Sequence, residues 1–191
     1  MEYPVKISLC GMGGQGIILS AVIMGTTMVK KNGLYATQTQ SYGSEARGGQ
    51  CQAELIIDRE PINSPVAEKK DILVALFQEA YEKYIGSLKP DGILIYDPDL
   101  VSELKTDVAR SCALPATQMA TNLGNRMSAN MIVLGYLASV FDMFSKEQLI
   151  EIVKAETNPR FLDSNLKAIE AGYLYGLEHG GPAEGGEHGS L

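Results

Sequence analysis

A chain of 191 residues, 45% hydrophobic and 20% charged, is sized for one well-buried domain, and no shift of composition marks a second. No apolar run reaches the roughly 20 residues that cross a bilayer, and the first residues lack the basic-then-apolar pattern of a secretory signal, so the expected compartment is the cytoplasm, with no membrane contact. The net charge of −7 argues against nucleic acid or an acidic membrane surface as a partner.

Val5-Lys6-Ile7-Ser8-Leu9-Cys10 reads as an apolar strand that runs into Gly11-Met12-Gly13-Gly14-Gln15-Gly16. From Ile17 to Val29 the apolar spacing is helical and ends at Asn32-Gly33. Tyr35 to Thr39 is a second strand, Ser41 to Gly49 a polar, glycine-rich loop, and Gln50 to Asp58 an alternating strand with one wetter face. After a turn-rich connection from Pro61 to Pro65, Asp71 to Leu76 is a continuous apolar run, the pattern of a strand covered on both faces. Gln78 to Leu88 is a crossover helix. Lys89-Pro90-Asp91-Gly92 is a turn by composition, and it delivers a buried strand, Ile93 to Tyr96, that ends at Asp97-Pro98. Arg110 to Leu114 adds a short strand, and helices follow over Ala116 to Leu123, Ser128 to Phe141, Ser145 to Glu156 and Phe161 to Leu177. Ser145 and Gln148 have capping-box spacing, and Ser128 is placed to cap its own helix. The domain is then 1–178, and residues 179–191, with almost nothing to bury, form a flexible tail. The predicted fold is α/β: a single domain, a mostly parallel doubly wound sheet, a glycine-rich first turn and a helical C-terminal third.

Strand, glycine turn and helix in that order place backbone N–H groups where they can meet an anion. Gly11, Gly13 and Gly16 satisfy G-x-G-x-x-G and Gly14 adds a fourth position without a Cβ. Two nucleotide readings are disfavoured. A nicotinamide site needs an acid near the end of the second strand, where Thr37-Gln38-Thr39-Gln40 stands; a phosphate-binding P-loop needs Lys and Ser/Thr where Ile17 and Ile18 stand. The glycines therefore serve either a tight turn alone or a pocket at the helix N-terminus, and Gln15, an amide where many residues would do, favours the pocket. Ser41, Tyr42, Glu45 and Arg47 follow the second strand and can reach the same carboxyl edge of the sheet, where Arg47 can take a phosphate or carboxylate and Glu45 can orient it. A plain surface loop and a subunit contact are the other readings of that string. Asn130, in a polar cluster with Asn122, Asn125, Arg126 and Ser128, either belongs to helix capping or lines the cleft. Cys10, Cys51 and Cys112 are isolated, with no Cys-x-x-Cys pair, and the two histidines lie at the tail, so no metal site and no catalytic cysteine is expected.

Together, Gly11 to Gly16 with Gln15, the string Thr39-Gln40-Ser41-Tyr42-Gly43-Ser44-Glu45-Ala46-Arg47-Gly48-Gly49, Asp71 to Leu76 with Gln78-Glu79-Ala80-Tyr81, and Asn130-Met131 to Leu134-Gly135 resemble the gamma subunit of 2-oxoacid:ferredoxin oxidoreductases over roughly residues 5 to 177. The string from Ser41 to Gly49 looks most like the 2-oxoglutarate type, with Ser44 where that family commonly has proline; the branched-chain and pyruvate types share the resemblance. The resemblance implies a complex that decarboxylates a 2-oxoacid on thiamine diphosphate, passes electrons through iron–sulfur clusters to ferredoxin and releases an acyl-CoA. This chain carries no thiamine motif and no cluster cysteines. Thiamine diphosphate, magnesium and the clusters are thus expected on thiamine-binding and ferredoxin-like partner subunits, and the chain alone is expected to be inactive and to supply no catalytic residue. Gly11, Gly13, Gly14, Gln15, Gly16, Ser41, Tyr42, Glu45 and Arg47 are the positions expected to steady coenzyme A at a shared cleft, or else to touch a partner subunit. From another class, a stand-alone α/β protein binding a nucleotide or acyl ligand fits the same loops.

Overall fold

The computed structural model describes residues 2–43, 49–104 and 108–181. A six-stranded sheet lies at its centre, built from β1 (Val5–Met12), β2 (Tyr35–Tyr42), β3 (Gln50–Asp58), β4 (Lys70–Ala75), β5 (Leu88–Tyr96) and β6 (Arg110–Ala113), in the order β2-β3-β1-β4-β5-β6. β4 pairs parallel with β1 and β5, and β6 parallel with β5, while β3 runs antiparallel to both β1 and β2. The connection between β2 and β3 is too short for the crossover that parallel neighbours need, so these two form a hairpin and β3 alone runs against the rest. α1 lies between β1 and β2 and α2 between β4 and β5, and the parallel pairing of β1, β4, β5 and β6 makes the sheet mostly parallel.

Among the described residues six α-helices cover the sheet unequally: α1 (Ile17–Asn32), α2 (Gln78–Tyr84), α3 (Ala116–Asn122), α4 (Ala129–Val140), α5 (Lys146–Glu156) and α6 (Leu162–His179). The larger core gathers α1, α3, α4, α5 and α6 over Ile7, Leu9, Leu55, Ile72, Val74 and Ile95; α2 packs on the opposite face over Cys10, Leu73, Ala75 and Leu94. β4 faces both layers, and Ile72, Leu73, Val74 and Ala75 are all buried, as a continuous apolar run requires. The wetter face expected of β3 lies beyond α2: Gln52 donates to the Ser8 hydroxyl at 2.9 Å, and the buried Lys70 pairs with Glu54 at 2.7 Å. Low exposure there is tolerable because each polar group has a partner.

Local signals explain most element ends. α1 stops at Gly33, whose φ of 66° is left-handed and whose N–H reaches the Met28 and Val29 carbonyls. The capping box at Ser145 and Gln148 is present in both directions, and Gln148 also donates to Asn32 at 3.0 Å, tying the start of α5 to the end of α1. Three expectations need correction. β5 begins at Leu88 and runs through Lys89-Pro90-Asp91-Gly92, which form a bulged stretch of strand rather than a turn, with a register shift between Lys70 and Ile72. β2 continues to Tyr42, because Ser41 and Tyr42 pair with Gln52 and Cys51. Ser128 does not cap α4 through its side chain; its hydroxyl donates to the Asn125 carbonyl at 2.7 Å, and Asn125 caps the preceding turn by accepting from the Met127 N–H at 3.2 Å. α6 reaches His179, and the rest of the expected tail, from residue 182, lies outside the described residues. Among the described residues no helix is long and apolar enough to cross a membrane.

Candidate functional site

β1 carries the chain to the carboxyl edge of the sheet and ends at Met12, where the glycine turn opens into α1. Gly14, at φ 96°, and Gly16, at φ 74°, hold left-handed conformations that a side chain would strain. A Cβ at Gly16 would also stand 2.5 Å from Asn130 Nδ2. Asn130 is buried beneath the turn with its amide 3.4 Å from the Ser20 hydroxyl, which in turn donates to the Gly16 carbonyl at 3.0 Å. It therefore supports the turn from below, a role that neither capping nor lining the cleft describes.

Gln15 is the clamp of the turn. Its Oε1 accepts from the Met12 N–H at 2.6 Å and its Nε2 donates to the Leu76 carbonyl at 2.9 Å, so one amide joins the turn to the carboxyl end of β4. Gly11 makes room for it, since a Cβ there would collide with Gln15 Oε1 and stand 2.8 Å from Ile17 Cδ1. Gly13 donates its N–H to the Gly49 carbonyl at 2.9 Å, which ties the turn to the β2–β3 hairpin, and Gly43 donates to Gln50 at 2.7 Å at the hairpin base. The expected neighbourhood of the two loops is therefore present, with Gly13 and Gly49 as its joint.

α1 begins with no side-chain cap and no acidic residue in its first turn. The leading N–H groups of a helix have no partner within it and carry a partial positive charge. The turn that leads into them lies beside the crevice between β1 and β4, where the sheet reverses its winding direction, the position at which open α/β sheets receive ligands. A cavity of about 290 Å³ lies there, walled by Met12, Gly13, Gly14, Gln15 and Leu76 on one side and by Thr117, Arg126, Met127 and Ala129 on the other. Asp97 fixes the far wall: fully buried, it accepts the Thr117 N–H at 2.7 Å and the Asp99 N–H at 3.1 Å, pinning the start of α3 to the end of β5. Arg126 and Met127 are exposed at the rim.

Of the residues singled out in the sequence, Gly13, Gly14 and Gln15 line this cavity, while Gly11 and Gly16 shape its floor. Ser41 and Tyr42 are exposed at the end of β2, at the same edge but on the far side of β3. Glu45 and Arg47 lie outside the described residues. Leu76, Thr117 and Met127 carried no sequence signal of a site, since each enters it from a separate element. The thiols are not nucleophiles in waiting: burial pushes Cys10 far above the ordinary thiol range and raises Cys51 and Cys112, the last relieved in part by the Tyr136 hydroxyl 2.9 Å away. Among the described residues no group of three or more His, Cys, Asp or Glu is placed to hold a metal, and the three cysteines are not gathered as cluster ligands.

The model of the pyruvate ferredoxin/flavodoxin oxidoreductase family matches residues 6–175. The chain belongs to this family. Among curated relatives, 2-oxoglutarate synthase subunit KorC of Methanothermobacter thermautotrophicus is 37% identical over 179 residues, covering 90% of this chain and 95% of that one. KorC of Methanocaldococcus jannaschii is 40% identical over 172 residues, covering 88% and 91%. Among solved structures, the keto/oxoacid ferredoxin oxidoreductase gamma subunit from Geobacter sulfurreducens superposes with a TM-score of 0.79 at 35% identity, covering 91% of this chain and 99% of that one. The 2-oxoglutarate:ferredoxin oxidoreductase from Magnetococcus marinus, solved with 2-oxoglutarate, coenzyme A and succinyl-CoA bound, gives a TM-score of 0.82 over 93% of this chain and 32% of that one; at 23% identity that likeness is one of fold.

Proposed function

We propose that this chain is the gamma subunit of a cytoplasmic 2-oxoglutarate:ferredoxin oxidoreductase, and that the carboxyl edge of its sheet is the face that meets coenzyme A and the thiamine-bearing subunit. The observation that carries the assignment is the identity of 37–40% to KorC subunits over nearly their whole length. In such a complex the 2-oxoacid loses carbon dioxide, its acyl group passes to the coenzyme A thiol, and two electrons leave through iron–sulfur clusters to ferredoxin. Thiamine diphosphate, magnesium and the clusters supply that chemistry from the thiamine-binding and ferredoxin-like subunits. This chain's contribution is to bind and orient.

Its residues suit coenzyme A in two respects. The uncapped N-terminus of α1, with the Gly14 and Gly16 turn below it, favours a phosphate, and Arg126 at the rim brings positive charge to the cavity. The wall formed by Met12, Leu76 and Met127 is apolar and suits the uncharged arm that leads to the thiol. At this mouth Met12 and Met127 are exposed, at 36% and 69%, as expected of side chains that a partner subunit covers. In this reading Gly11, Gly16 and Gln15 shape the loop and Gly13 and Gly14 present it, while Ser41, Tyr42, Glu45 and Arg47 are the residues proposed to meet coenzyme A or a partner subunit beside it.

Substitution Arg47→Ala in the assembled complex tests the coenzyme A role. A raised coenzyme A requirement with assembly intact supports it. Loss of the partner subunits with no change in coenzyme A requirement of the remaining complex assigns that residue to subunit contact instead.

A further inference from the structure

The two edges of the sheet are built differently. β6, at one edge, has four residues, begins with a charge at Arg110 and is overlaid by Tyr175, whose hydroxyl reaches the Ala113 carbonyl at 3.4 Å. β2, at the other, is eight residues long, pairs with β3 alone among the described strands, and contains no charged residue, proline or glycine in Tyr-Ala-Thr-Gln-Thr-Gln-Ser-Tyr. Free edges of that length are ordinarily guarded by a charge, a proline, a bulge or a covering segment. Directly above β2, the outer side of α1 exposes Leu19, Val22 and Val29 at helical spacing, at 38%, 38% and 43%. A groove lined by Val22, Gly25, Val29, Ala36 and Gln38 makes the stripe and the strand one continuous surface, with a single charge, Lys30, that pairs with Glu156 at 3.2 Å.

We propose that this surface is an isologous interface, with β2 pairing antiparallel to β2 of a second copy about a two-fold axis at Thr39. Charge favours a second copy, and the register permits one. In a chain of net charge −7 two copies approach with least repulsion where neither carries charge; β2 itself has none, and Glu54, which accepts from the Thr39 hydroxyl at 3.4 Å, is paired with Lys70. A two-fold axis normal to an antiparallel pair must pass through a residue opposite itself. Centred on Thr39, the pairing sets Thr39 against Thr39, Thr37 against Ser41, and Gln38 against Gln40. Hydroxyls then meet hydroxyls on the face bearing Thr37, Thr39 and Ser41, and amides meet amides on the face bearing Ala36, Gln38 and Gln40, which lies under α1. The same axis brings the two α1 stripes side by side on one face of a continuous sheet, which adds apolar burial to the backbone hydrogen bonds.

Directly opposed residues of an antiparallel pair lie about 4.5–5.5 Å apart between Cα atoms, within the span of a disulfide. Thr39→Cys is therefore expected to form a disulfide between two copies of this chain on mild oxidation, in the isolated full chain and in the native complex alike, whereas Val66→Cys, exposed on a distant loop, is expected to stay uncrosslinked. Sedimentation equilibrium is expected to give twice the 20.6 kDa chain mass, and Thr39→Lys, which sets two ammonium groups face to face, is expected to return it to the single mass with an unchanged circular dichroism spectrum. A Thr39→Cys chain that crosslinks to a different subunit, or to nothing in either preparation, overturns the proposal, and a Thr39→Lys protein that still sediments as a dimer does the same.

Discussion

With Oε1 on the Met12 N–H and Nε2 on the Leu76 carbonyl, Gln15 sets the distance between the glycine turn and the end of β4, and hence the width of the cavity between them. Gln15→Ala leaves both backbone groups without that partner, a loss of roughly 1–3 kcal/mol that reads as a fall of about 2–8 °C in the thermal midpoint. In the assembled enzyme the same variant is expected to raise KM for coenzyme A several-fold with kcat largely kept; a kcat loss at unchanged KM would remove Gln15 from the binding edge. Gln15 was visible in the sequence as an amide that a bare turn does not need. Its partner was not, because Leu76 is 61 residues away and contributes a backbone carbonyl, which no residue type announces. Asn130 stood in the same position: its polar character was legible, while its seat under Gly16 depends on α4 crossing beneath α1.

Two helices come close enough that their backbones touch. A Cβ on Gly135 would collide with the Ile169 carbonyl, and one on Gly172 with the Ile132 carbonyl, so α4 and α6 pack through facing glycines. Gly172→Ala must push the helices apart in a filled core and is expected to destabilise the protein by about 3 kcal/mol or more, measured by denaturant unfolding. Gly86→Ala, where a Cβ meets nothing and φ is not positive, is expected to be neutral or stabilising by up to about 1 kcal/mol. Equal losses in the two variants would contradict the packing described. Periodicity located all six helices and the cores of the strands because amphipathic spacing is a local property. It missed where pairing overrode local chemistry. Pro90-Asp91-Gly92 has the composition of a turn, yet neighbouring β4 holds it as a bulged strand, with Lys89 paired to Asp71; Ser41 and Tyr42 are polar or turn-like, yet β3 draws them into the ladder.

Across the molecule the perturbed thiols and phenols share one sign. Burial raises the Cys10, Cys51 and Cys112 thiols and the Tyr96, Tyr136 and Tyr175 phenols, so the folded chain keeps protons that the unfolded chain releases at about pH 8.5 for thiols and 10 for phenols. The stability they contribute is complete below those values and is lost as pH climbs through and beyond them. Thermal midpoints are expected to be level from about pH 6 to 8 and to fall above about pH 9; a rise there would contradict the burial of these groups. The strand order, with β3 reversed beside β1, could not be read from the chain, since nothing local tells a hairpin from a crossover partner; the carboxyl-edge site could be, because a glycine turn after the first strand lands there in any doubly wound sheet. The most direct test of the central claim is to purify the tagged chain from its native source, identify what travels with it, and assay the material for 2-oxoglutarate-dependent ferredoxin reduction with and without coenzyme A. Co-purifying thiamine-binding and ferredoxin-like subunits, with activity that needs both coenzyme A and the whole assembly, is the expected result; a companion-free chain that reduces ferredoxin, or that carries tightly held thiamine, flavin or iron–sulfur cluster, would contradict it.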